Sequence, residues 1–214
     1  MKNFQILHIQ FPNQYLLTST MMRVQEFYES PNPKFRGKYF THEQYMDWYA
    51  QTNKGSMSYF TDWSGFNIPG ETFIKWSMQQ LIPSTKENKL GDLVFGNIDY
   101  MNPFYLVATY KGGKASVLDH EVMHALYYLK PDYKKAVNKL LAKYNLKSFY
   151  KVLASYGYTE NVFKDETQAY ILTGLTPELS KIKNLIQLEY ELKDLAEKFS
   201  FINVTELVKT IKWK

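Results

Sequence analysis

Residues 104–129 read FYLVATYKGGKASVLDHEVMHALYYL and carry the strongest structural signal in the chain. The β-branched and aromatic residues of Phe104–Tyr110 predict a strand, which the turn-forming run Lys111–Lys114 ends. A capping box with Ser116 as its first residue then predicts a helix over Val117–Leu129. This order of elements predicts an edge strand directly before the helix, where a peptide can add as a further strand.

The rest of the chain predicts strands early and helices late, which is typical of an α+β fold. Before residue 104 we expect a strand over 4–9, a strand or helix from 15, a helix over 42–50, a long loop over 53–70, a helix over 71–81 and a mostly irregular stretch over 83–103. After residue 130 we expect helices over 132–144, 147–154, 161–173, 177–199 and 204–212. The sequence indicates one compact domain over 1–214, with an N-terminal mixed lobe to about residue 100 and a helical catalytic lobe from about 101.

The composition excludes several classes of protein. The chain has 214 residues, of which 45% are hydrophobic and 17% aromatic, so it can bury a core and is not a disordered protein. It has no cysteine, which excludes disulfide scaffolds, thiol nucleophiles and iron–sulfur sites.

The charge pattern and hydropathy bear on partners and location. Only Arg23 and Arg36 accompany 24 lysines spread along the chain, so we expect no nucleic-acid partner. No window approaches the ~18 apolar residues of a membrane span, and the first residues lack the pattern of a signal peptide. The expected location is the cytoplasm, with signal-independent secretion as the alternative. The oligomeric state is not indicated.

The residues His120-Glu121-Val122-Met123-His124 form an HExxH motif inside the predicted helix. Side chains four residues apart share one face of a helix, so both imidazoles can bind one zinc ion. Glu121 lies about 100° round the helix from His120, where it can take a proton from a zinc-bound water. The alternative is that the two histidines are hydrogen-bonded polar residues of a half-buried face.

A hydrolytic zinc site normally has three protein ligands and one open position. No histidine follows His124, and Tyr127 and Lys130 stand where the longer metzincin pattern requires Gly and His. The third ligand must therefore be an Asp or a Glu. Asp165 and Glu166 lie among apolar neighbours on a predicted helix, where a carboxylate needs a partner, and both are candidates.

The HExxH motif followed by Glu166-x-x-Ala169 resembles the gluzincin clan of zinc metallopeptidases, which have a zincin fold. The stretch Ser155–Tyr158 before Glu166 resembles, more narrowly, the catalytic domain of the anthrax lethal factor family. The likeness extends over residues 116–171. It implies that His120, His124 and Glu166 are zinc ligands and that Glu121 is the general base.

The same resemblance implies that Tyr156 supports the oxyanion of the tetrahedral intermediate. The interval from Tyr156 to Glu166 is longer than in that family, so Tyr158 is a rival for this role. Tyr170 stands where the thermolysin-type pattern has an Asp, which leaves Asp119 and Asp165 as candidate partners of a zinc-bound histidine.

The sequence thus predicts a hydrolase: a zinc metallopeptidase with Zn²⁺ as its cofactor and a peptide or protein as its substrate. Two alternatives stay open. In the first alternative, the chain is a catalytically inactive zincin-fold module for binding or regulation. In the second, it is a zinc hydrolase of a non-peptide amide.

Overall fold

The computed structural model describes residues 4–199 and 207–214 of the chain. They form a mixed α+β structure, which confirms the coarse fold class. The contacts divide the chain into two units, one of Met1–Leu118 with Val208–Lys214 and one of Asp119–Leu207. The division falls after Leu118, later than the boundary near residue 100 that the sequence indicates.

The first unit is built on a four-stranded mixed sheet in the order β2-β3-β1-β4. Its strands are β1 (Gln5–Phe11), β2 (Gly65–Pro69), β3 (Phe104–Tyr110) and β4 (Val208–Lys212). β1 runs parallel to both β3 and β4, and β2 runs antiparallel to β3. The predicted strands at 4–9 and 104–110 are confirmed. The expectation of an edge strand before the motif helix is wrong, because β3 is paired on both sides.

Five helices accompany this sheet: α1 (Gln14–Glu29), α2 (His42–Thr52), α3 (Tyr59–Asp62), α4 (Gly70–Gln79) and α5 (Thr85–Phe95). The apolar run after Tyr15 folds as a helix, and α1 buries Leu17 and Met21 in one core with Leu7 and Ile9 of β1. The helices predicted over 42–50 and 71–81 are confirmed by α2 and α4.

Three further predictions for this unit are wrong. The segment 53–70 holds α3 and β2 rather than a long loop, because Phe66 and Ile68 alternate into the core. The segment 83–103 holds α5, which begins at a capping box between Ser84 and Glu87. The last predicted helix, 204–212, is strand β4 from Val208 onward, and its residues 204–206 lie outside the described part of the chain.

A buried ion pair joins α1 to the start of α5. Arg23 donates from Nε and Nη2 to the two carboxylate oxygens of Glu87 at 2.7 and 2.6 Å. Burial alone would raise the pKa of Glu87, but hydrogen bonds from Arg23 and Ser84 and the Arg23 charge hold it below its usual value. Arg23 also donates to the Phe40 carbonyl, so this buried charge is fully engaged.

The second unit is helical. Its helices are α6 (Ala115–Leu129, which begins in the first unit), α7 (Pro131–Leu141), α8 (Lys147–Ser155), α9 (Phe163–Thr173) and α10 (Ile186–Lys198). α9 packs against α7, α8 and α10. The helices predicted over 132–144, 147–154 and 161–173 are confirmed. The expected helix over 177–199 is interrupted, since α10 begins only at Ile186, and α6 begins one residue before Ser116, which is therefore not its cap.

Hydropathy gives one further result. None of the helices within 4–199 and 207–214 combines the length and the apolar character that crossing a membrane requires.

His8 links strand β1 to both of its neighbours in the sheet, β3 and β4. Its Nε2 lies 2.8 Å from Thr109 Oγ1 on β3, and its Nδ1 lies 3.1 Å from Thr210 Oγ1 on β4. The side chain is buried, and burial lowers its pKa to about 4. His8 is therefore neutral in the folded protein at neutral pH.

We predict that His8 makes folding stability depend on pH between 6.5 and 4. Below pH 6.5 the unfolded chain binds a proton that folded His8 binds only near pH 4, so the free energy of unfolding falls as the pH falls. The loss should reach about 3 kcal/mol at pH 4. Urea denaturation of wild type and His8→Gln across this range should show that the variant lacks this loss.

Thr210→Val is the matched control. It removes one hydrogen bond of the ring but keeps the titrating group, so it should lower stability and retain the pH dependence. An equal pH dependence in wild type and His8→Gln would contradict the prediction.

Candidate metal centre

Helices α6 and α9 bring His120, His124 and Glu166 together within the second unit. The two histidines lie one helical turn apart on α6, and Glu166 lies in the first turn of α9. One potential ligand atom from each lies within 4.8 Å of the others, and in the described chain these three residues form the group suited to a metal ion. Two of the three are buried, and His120 is partly exposed.

The distances within this group match those of ligands around one small cation. The Nε2 atoms of His120 and His124 are 3.2 Å apart. Glu166 places Oε2 3.6 Å from His120 Nε2 and Oε1 3.6 Å from His124 Nε2. Two ligand atoms at about 2.1 Å from a tetrahedral zinc ion are about 3.4 Å apart, so the three side chains need little adjustment.

The Glu166 carboxylate supplies an independent indication of a metal ion. Its Oε2 atom is buried and has no hydrogen-bond partner within the described residues. Its contact with His120 Nε2, at 3.6 Å, is longer than a hydrogen bond, and a metal ion bound there would stabilise this buried charged oxygen further. Two imidazoles and one carboxylate are also a donor set that zinc prefers. The residues present therefore fit a zinc ion.

The electrostatics of the group favour additional positive charge. Burial alone would lower the pKa of His124, but the charges of Asp165 and Glu166 raise it well above its usual value. Burial alone would raise the pKa of Glu166, but the charge of His124 and the interaction with His120 lower it. Both directions mean that the pocket stabilises a cation beside an ionised carboxylate.

Asp165, the alternative third ligand, lies on the other side of His124. Its Oδ1 is 2.9 Å from His124 Nδ1, the ring nitrogen that points away from His120. The sequence left Asp165 and Glu166 as candidates for the third ligand. Of the two, Glu166 is the one that faces both Nε2 atoms. Of the two candidates for the partner of a histidine, Asp119 and Asp165, the latter makes this contact.

Glu121 follows His120 on α6 and is 8% exposed. It contributes charge at His124 and at the Tyr158 and Tyr170 hydroxyls, so it lies within electrostatic reach of the group. A carboxylate in this position can accept a proton from a water held at the site.

The two tyrosines of the sequence prediction have different surroundings. Tyr158 is mostly buried, and its hydroxyl lies 3.3 Å from that of Tyr170 and interacts with Glu166. Burial and then the charge of Glu166 raise the pKa of Tyr158, so it remains a proton donor. Tyr156 is 39% exposed, and its hydroxyl donates to Glu178 at 2.8 Å. The structure brings Tyr158, rather than Tyr156, to the histidine–glutamate group.

Sequence reasoning gave no role to two further residues of α9. The Tyr170 ring packs against the His120 ring with centroids 4.6 Å apart, and Thr173 Oγ1 lies 3.2 Å from His120 Nδ1. They stand four and seven residues after Glu166, a spacing that keeps all three on one face of a helix. This helical spacing after Glu166 was the feature of the sequence that could have identified Tyr170 and Thr173.

Comparisons of this chain with protein-family models, with curated proteins and with solved structures found no match. What the site can do must therefore follow from its motif and its geometry. Three protein donors on two helices leave a fourth position for water or substrate, which distinguishes catalytic from closed structural zinc sites.

We predict that the wild-type protein binds one zinc ion per chain and that Glu166→Ala weakens this binding at least ~100-fold. Loss of a direct ligand should exceed the 10–100-fold loss typical of removing a ligand's hydrogen-bond partner. Zinc affinity is measured by competition with a chromophoric chelator. The control is Glu160→Ala, an exposed glutamate just before α9. Equal affinities in the two variants would exclude Glu166 as a ligand.

Proposed function

We propose that this chain is a zinc-dependent metallopeptidase of the zincin type, with His120, His124 and Glu166 as the metal ligands. The observation that carries the proposal is the buried Glu166 carboxylate, which places one oxygen 3.6 Å from each Nε2 atom of the HExxH helix, the two Nε2 atoms being 3.2 Å apart. A hydrogen-bonded polar face, the alternative reading of the motif, would not require two Nε2 atoms and a buried carboxylate to meet at distances that suit one cation.

Zinc bound by these residues would lower the pKa of a coordinated water and polarise the carbonyl of a scissile bond. Glu121 acts as the general base, because it lies between the two histidine ligands in the sequence of α6 and its charge acts on His124. It accepts the proton of the attacking water and then donates it to the leaving amine. A single carboxylate performs both transfers because the amine leaves from the carbon that the water attacks.

Tyr158 donates its hydroxyl proton to the oxyanion that develops at the substrate carbonyl. Its raised pKa keeps the hydroxyl protonated at neutral pH, and its burial makes the hydrogen bond stronger than it would be in water. In the proposed scheme Tyr158 exchanges its present partners, Glu166 and Tyr170, for the substrate.

We propose a peptide or protein as the substrate, acted on in the cytoplasm, and no nucleic-acid partner. The lysine-rich, arginine-poor composition supports the last point, because arginine is the usual reader of phosphates and bases. A zinc hydrolase of a non-peptide amide would use the same residues, so a substrate screen separates the two activities.

We predict that Glu121→Gln lowers kcat/KM for peptide hydrolysis about 10²- to 10⁴-fold while leaving zinc content at one per chain. The amide keeps the size of the side chain but cannot accept the proton of the water. The measurement pairs cleavage of a peptide library with zinc analysis of the same sample. Glu160→Gln is the control. Turnover that survives in zinc-loaded Glu121→Gln, or none in zinc-loaded wild type, would contradict the proposal.

We predict that Tyr158→Phe lowers kcat about 10²- to 10³-fold with little change in KM, the usual effect of losing one oxyanion donor. Tyr156→Phe should change kcat less than about threefold, because its hydroxyl is engaged by Glu178 and Thr176. Steady-state kinetics of the two variants on one peptide decide the matter. A larger loss of kcat in Tyr156→Phe than in Tyr158→Phe would assign the support of the oxyanion to Tyr156 instead.

A further inference from the structure

Helix α9 contacts the far side of each imidazole as well as the metal-facing side. The Nδ1 atom of His124 lies 2.9 Å from Asp165, and that of His120 lies 3.2 Å from Thr173. The same helix therefore presents one group to each Nδ1 and Glu166 to both Nε2 atoms. Which nitrogen of each ring carries the proton follows from these contacts.

The contact at His120 has only one consistent direction. Thr173 donates its hydroxyl proton to the Ala169 carbonyl at 2.7 Å, one turn back along α9. A hydroxyl has a single proton, so toward His120 the Thr173 oxygen acts as an acceptor. His120 must then carry its proton on Nδ1, which leaves the lone pair on Nε2.

The contact at His124 has the same consequence. Asp165 Oδ1 accepts a hydrogen bond from Gln168 Nε2 and lies 2.9 Å from His124 Nδ1, so it acts as an acceptor toward His124, which also carries a proton on Nδ1. Asp165 is itself held by Gln168, which donates to Asp165 Oδ1 at 3.1 Å and to the Met123 carbonyl of α6 at 3.2 Å. The buried Tyr133 hydroxyl in turn donates to Gln168 Oε1 at 3.1 Å. The orientation of Asp165 is thereby fixed from two neighbouring helices.

We infer that Asp165 and Thr173 are positioning residues that fix both imidazoles in the Nδ1-protonated form and so prepare their Nε2 atoms for one metal ion. This inference rests on the metal-binding part of the proposed function. It extends the role of α9 from supplying one ligand to orienting the other two. Hydrogen-bond partners of this kind typically contribute 10–100-fold to metal affinity.

The chain offers a matched control for each positioning residue. Thr167 donates to the Phe163 carbonyl at 2.6 Å, the same intrahelical bond that Thr173 makes, but its partners include no imidazole. Thr167→Val and Thr173→Val therefore remove the same bond from the same helix. Asp132 lies in the first turn of α7 as Asp165 lies in the first turn of α9, so Asp132→Ala controls for the helix dipole.

The test measures zinc affinity of the full chain by chelator competition and the protonated ring nitrogens by ¹⁵N NMR of labelled histidine. We expect Thr173→Val and Asp165→Ala to weaken zinc binding about 10- to 100-fold. Asp165→Asn, which keeps an acceptor oxygen, should lose less than Asp165→Ala. Both controls should stay within about twofold of wild type. Spectra of the zinc-loaded protein should show a proton on Nδ1 and none on Nε2 of both rings in wild type, and a mixture of the two forms at His120 in Thr173→Val.

Three results would overturn the inference in distinguishable ways. If wild type binds zinc but Thr173→Val behaves as Thr167→Val and Asp165→Ala as Asp132→Ala, the positioning role is wrong while the proposed metal site stands. If zinc-loaded wild type shows protonated Nε2 on either ring, the assignment of the ligand atom is wrong. If wild type binds no zinc at all, the proposed function fails and the inference fails with it.

Discussion

Two imidazole nitrogens held 3.2 Å apart, opposite a buried carboxylate, are the constraint on which the rest of the site depends. When both rings carry their protons on Nδ1, two lone pairs face one another, and only a shared proton or a metal ion between them makes that arrangement favourable. The nearby carboxylates add negative charge to the same point. The described residues of the second unit therefore concentrate several acceptors around one position.

Helix α9 holds the Glu166 carboxylate opposite the two imidazoles. It packs against α7, α8 and α10, and the core of this helical unit includes Tyr133, Phe149 and Leu188. Packing against three helices restricts the rotation of α9, which sets the direction of Glu166 and of its neighbours. Catalytic groups placed on rigid helices are held more precisely than groups on loops. In the proposed site, the general base and two ligands would come from α6, and the third ligand and both positioning residues would come from α9.

The sequence predicted the features that depend on local spacing. Two histidines four residues apart share a helix face whatever surrounds them, so the HExxH pair needed no tertiary information. Local spacing could not decide whether Asp165 or Glu166 is the third ligand. Adjacent residues on a helix point about 100° apart, and only the position of α6 decides which of them faces the two histidines. Tyr156 and Tyr158 were inseparable for a similar reason. Gly157 between them has a φ of +94°, which turns the chain at the end of α8 and gives the two side chains different surroundings.

The features that the sequence missed depend on distant partners. Strand β4 forms because Val208–Lys212 pairs with β1, about two hundred residues earlier, and no local pattern announces that pairing. Strand β2 is short and contains a proline, so its pairing with β3 was equally hidden. Helix α5 is a different case. Its capping box at Ser84 and Glu87 was present in the sequence, and the polar composition around it concealed the helical spacing.

We propose that one zinc ion is held by two histidines and one carboxylate with a position left open. X-ray absorption at the zinc edge of the zinc-loaded wild-type protein tests it most directly, because the scattering of imidazole rings counts the histidine ligands. We predict two imidazole and two oxygen ligands in the wild type, with one imidazole lost in His124→Ala. Zinc without imidazole ligands, or a spectrum unchanged in His124→Ala, would contradict it.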